Sequence, residues 1–145
     1  MSHAEKAVNY HKDYNCAQAV LAAYAKDFGL DIDKALQVSV GFGGGIAHLQ
    51  ETCGAVSSSV AVLGLKSGYK EGDGRPKIDA VYDKVRSFTD EFKKVYGTIK
   101  CRDLLGCDLV SEEGHKFFVD NNLRVVKCRE YIKTCCGLLD KYLAE

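Results

Sequence analysis

Proline and β-strand patterning are both scarce in this 145-residue sequence. The only proline is Pro76, and almost no stretch alternates apolar with polar residues as a half-buried strand does. Apolar positions recur instead at intervals of three and four, which is the period of an amphipathic helix. The sequence therefore predicts an all-α protein, a compact helical bundle of about six to seven helices in a single domain over residues 1–145.

Net charge and long apolar runs are also missing. Lysine plus arginine number 20 and aspartate plus glutamate number 20, so the charges cancel. No basic excess attracts nucleic acid or an anionic membrane, and neutrality leaves a homo-oligomer possible. Residues 1–13 are polar, so we expect no signal peptide. The uncharged stretch 52–65 is shorter than the roughly 20 apolar residues of a membrane span. We therefore expect a cytoplasmic protein.

Apolar spacing, capping residues and glycines predict the positions of the helices. The predicted helices cover about residues 2–11, 15–28, 32–40, 52–67, 76–96, 101–105, 111–118 and 122–143. The helix over 52–67 is rich in small residues and is expected to be buried. The glycine segment 41–45 ends a helix and lets the backbone pass close to another group. It lacks the third glycine and the βαβ unit of a dinucleotide loop, so we expect no nucleotide there.

Cysteine, in contrast, is abundant in this sequence. The seven cysteines are Cys16, Cys53, Cys101, Cys107, Cys128, Cys135 and Cys136. An odd number excludes complete disulfide pairing within one chain, and in a reducing compartment such cysteines are more often metal ligands or redox groups. No C-x-x-C pair occurs, so thioredoxin-type motifs and zinc ribbons are not supported. The absence of C-x-x-C-H excludes c-type haem attachment, and ferredoxin spacings are missing too.

Three of these cysteines lie where a helix is predicted to begin. Cys16, Cys53 and Cys101 each come shortly after a helix-capping or helix-ending residue. The free N–H groups and the positive dipole end of a helix N-terminus favour a thiolate over a thiol. Together with Cys128 in the last helix, they form a candidate site for negatively charged sulfur.

Four functions remain open for this thiol set. The four thiols can be ligands of a [2Fe–2S] cluster, for electron transfer or redox sensing with a partner protein. They can form a thiol–disulfide oxidoreductase in which Cys53 is the nucleophile. They can hold Zn or Cu(I) without redox turnover. Finally, cysteines can simply pack as small apolar residues, which is the role we expect for Cys107, Cys135 and Cys136.

The histidines are weaker candidates. His48 lies between the glycine segment and Cys53, where it can be a ligand, a proton donor or a neighbour that lowers the pKa of Cys53. It can equally be a loop histidine bonded to backbone. His3, His11 and His115 lie in polar surroundings, and we expect them to be solvated.

Four blocks of the sequence, taken in order, have a familiar pattern. Residues 14–20 read Tyr-Asn-Cys-Ala-Gln-Ala-Val, residues 51–58 read Glu-Thr-Cys-Gly-Ala-Val-Ser-Ser, residues 101–106 read Cys-Arg-Asp-Leu-Leu-Gly, and Cys128 follows. These blocks resemble the N-terminal, central Cys-Gly-Ala-x-x-Gly, third and fourth cysteine blocks of the C_GCAxxG_C_C family of redox-active proteins. Ser58 stands where that motif has glycine. The resemblance implies a redox role, and an iron–sulfur cluster, for Cys16, Cys53, Cys101 and Cys128.

Overall fold

The computed structural model describes residues 1–145 and consists of helices joined by short connections. In chain order the helices are α1 (His3–His11), α2 (Cys16–Ala25), α3 (Ile32–Ser39), α4 (Gly54–Ser67), α5 (Arg75–Tyr96), α6 (Cys101–Leu105), α7 (Glu112–Asp120) and α8 (Arg129–Leu143). The all-α class is thus confirmed. The count of eight is slightly above the six to seven expected for the bundle, and the short helices α6 and α7 lie where the sequence predicts helices over 101–105 and 111–118. No helix combines the length and the apolar character needed to cross a membrane.

Local signals set most helix ends. Ser2 caps α1 by accepting a hydrogen bond from a first-turn N–H, and Asp31 caps α3 in the same way. Pro76 lies in the first turn of α5, where its missing N–H costs nothing. Gly29 and Gly97 adopt positive φ angles of 67° and 81° just after the helices they end. These boundaries follow from the residues on either side of them.

Helix α2 is the centre of the bundle. It packs against α1, α3, α4 and α8, and nine of its ten residues are buried. The one that is not buried is Cys16, at its first position. Helix α4 packs against α2, α5 and α8, and its first turns are buried as its small residues predict.

The structure does not have the single continuous helix that the sequence predicts over residues 122–143. Residues Arg124–Cys128 form a π-helical turn, and α8 begins only at Arg129. Asn122, just before this turn, has a positive φ of 52°. A π turn inserts one extra residue into the helical repeat, and such turns occur frequently at functional sites.

The apolar residues that recur at intervals of three and four along α5 form a stripe that is buried only in part. Phe88 and Phe92 are fully enclosed, whereas Tyr82 and Val95 remain 47% and 62% exposed. Phe92 packs its ring 4.8 Å from that of Tyr96. The core contact of this helix therefore depends on a few aromatic residues rather than on the whole stripe.

Replacing Phe92 tests this distribution of burial. We expect Phe92→Ala to lower the free energy of unfolding by ~3–5 kcal/mol, because it opens a cavity in the core. Val95→Ala, on the exposed part of the same stripe, is the matched control and should change it by less than ~0.5 kcal/mol. Urea denaturation of both variants measures the difference, and equal effects would contradict the burial pattern.

Candidate functional site

A cavity of about 410 Å³ lies among the N-terminal ends of α2, α4 and α6 and the π turn that leads into α8. The four cysteines of the predicted site all line it: Cys16, Cys53, Cys101 and Cys128. The other three do not. Cys135 and Cys136 are fully buried in the core, and Cys107 packs partly buried against that core. Residues far apart in the chain are thus brought to one place.

Cys16 is positioned by the capping of α2. Asn15 accepts a hydrogen bond from the Gln18 N–H at 2.9 Å, and Gln18 accepts one from the Asn15 N–H at 3.1 Å. The Asn15 amide also donates to the Val40 carbonyl at 2.9 Å. This reciprocal cap satisfies free N–H groups at the helix start and fixes the first residue of the helix, Cys16, at the cavity wall.

Cys53 and Cys101 are held side by side by a short backbone pairing. An isolated β-bridge joins Thr52 to Lys100. On either side of it the Cys53 N–H donates to the Ile99 carbonyl and the Cys101 N–H donates to the Glu51 carbonyl, both at 2.7 Å. The starts of α4 and α6 therefore lie next to each other, and each presents a cysteine to the cavity.

The start of α4 passes very close to Cys16. A side-chain carbon at Gly54 would lie 2.9 Å from the Cys16 Sγ and 2.8 Å from the Phe42 carbonyl oxygen. Only glycine fits there. One turn later the buried Ser58 hydroxyl donates to the Ala17 carbonyl at 2.5 Å. The serine at the family's glycine position is therefore accommodated at the crossing of α2 and α4 by a hydrogen bond.

Cys16, rather than Cys53, is the more acidic thiol. The Cys53 thiol donates a hydrogen bond to the Cys16 sulfur, and the N–H groups of Gly44, Ala17 and Ala55 do the same. These donors lower the pKa of Cys16 from 9.0 to about 7 against the opposing effect of burial. The pKa of Cys53 is raised instead, because its proton is held in that hydrogen bond and its sulfur is buried. The two thiols therefore titrate as a coupled pair, from which the hydrogen bonds at Cys16 favour loss of a first proton.

The other two cavity thiols remain protonated near neutral pH. Burial raises the pKa of Cys101 to about 11 and that of Cys128 to about 12. The negative charge on Cys16 adds to both shifts. In the metal-free protein the Cys16–Cys53 pair therefore loses a proton more readily than Cys101 or Cys128 does.

The segment that follows α3 wraps around Cys16 in an unusual conformation. Every residue from 44 to 48 has a positive φ, as does Gln50. A non-glycine residue in this region costs ~1–2 kcal/mol. The Gly44 N–H donates to the Cys16 sulfur, and His48 lines the cavity from this segment. Strained backbone of this kind is concentrated at functional sites.

His11 was wrongly expected to be solvated. It is 1% exposed and lines the cavity. Burial, together with the charges of Arg124 and Arg129, lowers its pKa to about 3, so the imidazole is neutral. Arg124 also lines the cavity. Sequence patterns missed both residues, because the arginines that enclose His11 lie more than a hundred positions away in the chain.

The other three histidines lie in two separate parts of the structure. His115 is exposed but lines the cavity together with His48. His3 lies elsewhere, half-buried, with Asp27 at 2.5 Å from its Nε2 and Asp140 at 2.8 Å from its Nδ1. His3 therefore links helices rather than serving the cysteine cavity.

The donor set is suited to a soft metal group. Thiolates select iron–sulfur clusters, Zn and Cu(I), and no aspartate or glutamate lines the cavity. No three His, Cys, Asp or Glu side chains are gathered closely enough to hold one ion. The four thiols thus line one cavity without being gathered around a single point.

Comparison with known proteins gives a match over most of the chain. Residues 14–142 match the family described as "Putative redox-active protein (C_GCAxxG_C_C)". A protein of Archaeoglobus fulgidus, described as "Uncharacterized protein", is 29% identical over 126 residues, which cover 78% of this chain and 83% of that protein. No solved structure matches this chain.

Two glycines of α4 provide a test of the close approach at Cys16. We expect Gly54→Ala to displace the Cys16 sulfur, to lower stability by ~1–3 kcal/mol, and to shift the pH at which Cys16 is alkylated. Gly64→Ala is the matched control, since nothing lies within 4 Å of its added carbon. That change should be neutral or stabilising by up to ~1 kcal/mol. Urea denaturation and alkylation rates report both effects, and similar behaviour of the two variants would contradict the packing.

Proposed function

Because the chain belongs to the C_GCAxxG_C_C family, we propose that it is a redox protein whose Cys16, Cys53, Cys101 and Cys128 hold a [2Fe–2S] cluster. The observation that carries this proposal is the shared cavity, in which these four thiols and no carboxylate meet. When bound, such a cluster supplies one-electron transfer. The protein would then transfer electrons to or from a partner protein, or sense the redox state.

The spread of the thiols favours a cluster over a single ion. A mononuclear Zn or Cu(I) site needs its ligands gathered around one point. Here no three possible ligands are so gathered, although all four thiols line one cavity of about 410 Å³. These four cysteines would hold a cluster, which contains more than one iron and so does not require all its ligands to meet at one point.

The surroundings of the thiols can also stabilise their negative charge. Cys16 and Cys101 are the first residues of α2 and α6, and Cys53 is the residue before α4. Helix N-termini stabilise anions through free N–H groups and the dipole. Arg124 adds a positive charge at the cavity wall. Backbone N–H groups already donate to the Cys16 sulfur, and such bonds raise the reduction potential of a cluster.

Thiol–disulfide exchange is the second candidate, favoured by the hydrogen bond between Cys53 and Cys16. In this reaction the Cys16 thiolate attacks one sulfur of a substrate disulfide, and the other sulfur leaves as a thiolate. Cys53 then loses its proton to solvent and attacks the mixed disulfide. The substrate gains two electrons and is released as a dithiol, and Cys16 and Cys53 are left as a disulfide.

Iron and sulfide content test the first proposal. Protein expressed with iron and purified without oxygen should show visible charge-transfer bands and roughly two irons and two sulfides per chain. Cys53→Ser should lose them, because a ligand is removed. Cys136→Ala, a buried cysteine outside the cavity, should retain them. A colourless, iron-free wild-type protein would overturn the cluster proposal, and stoichiometric zinc would replace it with a structural metal site.

The pH dependence of alkylation tests the acidity of the pair in metal-free protein. The alkylation rate of Cys16 should rise with pH to a plateau, with a midpoint of about 7, because only the thiolate reacts. Cys53→Ala removes the hydrogen-bond donor and should move this midpoint upward. Cys53→Ser keeps a hydroxyl donor and should leave it near the wild-type value. An unchanged midpoint in Cys53→Ala would show that the Cys53 thiol does not stabilise the Cys16 thiolate.

A further inference from the structure

The cavity is lined by more than the four cysteines. A volume of about 410 Å³ falls in the range of roughly 300–1,000 Å³ that is typical of small-molecule sites. Apart from the four cysteines, its wall includes apolar side chains from α6, α7 and the connection between them: Leu104, Leu105, Leu109 and Phe118. Such a wall accommodates the body of a small organic molecule.

His11 presents a free hydrogen-bond donor to this space. The Arg129 Nε–H donates to the His11 Nδ1 at 3.3 Å, so Nδ1 is the acceptor nitrogen. Because the ring is neutral, its proton is on Nε2. Nε2 makes no hydrogen bond within the protein, and since no buried side-chain nitrogen or oxygen of the chain lacks a partner, Nε2 is open to the cavity that His11 lines. An N–H that faces a cavity is available to donate a hydrogen bond to a bound molecule.

Arg124 contributes the positive charge beside this donor. Its Nη2 donates to the backbone carbonyls of His11 and of Tyr14, the latter at 2.8 Å. These bonds fix the guanidinium at the cavity wall and leave its Nε and Nη1 without a protein partner. No acidic side chain lines the cavity to neutralise the guanidinium.

We propose that the cavity is a binding site for a small organic anion, a carboxylate with a compact apolar body, held at its charged end by the His11 Nε2–H and Arg124. The apolar body would lie against Leu104, Leu105, Leu109 and Phe118, next to the cysteines. Charge-assisted hydrogen bonds of this kind are roughly twice as strong as neutral ones. This inference deepens the proposed redox function by naming the class of substrate, but the binding itself does not depend on a cluster.

Two alkylating reagents of similar shape and different charge test the proposal in metal-free, reduced protein. In both reactions the Cys16 thiolate forms a carbon–sulfur bond, and iodide leaves with the electron pair of the broken carbon–iodine bond. Iodoacetate is a small carboxylate, whereas iodoacetamide is neutral. We expect the rate with iodoacetate divided by the rate with iodoacetamide to be about tenfold or more higher at Cys16 than for free glutathione. The rate at Cys16 should also saturate as the concentration of iodoacetate rises, but not as that of iodoacetamide rises. Peptide mass spectrometry identifies the labelled residue.

Unlabelled competitors test the same point without any variant. Benzoate should slow the alkylation of Cys16 by iodoacetamide in a saturable way, and the neutral benzamide should do so at least about tenfold less well. Equal protection by both compounds, or none by benzoate, would overturn the proposal. These assays use iron-free protein, so a negative result would leave the cluster proposal standing. Conversely, a protein that is colourless after anaerobic purification but whose Cys16 prefers iodoacetate would leave the anion-binding proposal standing.

Variants of His11 then test its part in the preference for the anion. His11→Leu removes the donor and should bring the ratio of rates close to that of glutathione, while His11→Gln restores a donor and should recover part of it. Lys133→Gln removes one exposed positive charge on α8, outside the cavity, and should leave the ratio unchanged. An equal loss in Lys133→Gln would show that overall charge, not the cavity, attracts the anion, and would overturn the assignment.

Discussion

The close crossing of α2 and α4 at Cys16 and Gly54 is the contact on which the site depends. Because Gly54 has no side chain, the start of α4 can approach the Cys16 sulfur, and the Cys53 thiol can then donate to it. The Ser58 hydroxyl holds the same crossing one turn later. From this point the Thr52–Lys100 bridge extends the arrangement to α6. The cavity exists because three helix starts are fixed to one another there.

Unequal hydrogen bonding explains why similar thiols behave differently. All four cysteines face one cavity, with Cys53 and Cys101 buried and Cys16 and Cys128 half-buried, and the loss of solvation disfavours ionisation of each. Only Cys16 gathers enough donors to overcome that penalty, including one from the strained segment 44–48. Once Cys16 is ionised, its charge opposes ionisation of Cys53, Cys101 and Cys128. The result is a site in which one proton is lost more readily than the other three.

The π turn before α8 combines two functions in a short stretch of chain. It carries Cys128 at one end and Arg124 at the other, and both line the cavity. The Arg124 guanidinium reaches the connection between α1 and α2, close to Cys16 in the chain, and helps to enclose His11. A thiol, a guanidinium and a neutral imidazole donor thus face one space. This combination supports both the metal-binding and the anion-binding proposals.

The sequence by itself determined the helices, their caps and the four cysteines that belong together. These features depend on neighbouring residues, such as Asn15 before Cys16, or on a pattern of blocks along the chain. Tertiary structure alone decided that hydrogen bonds gather at the Cys16 sulfur, that His11 is buried, and that Gly54 tolerates no side chain. Each of these properties arises from contacts between distant segments, and the pKa of a group depends on all the donors and charges around it.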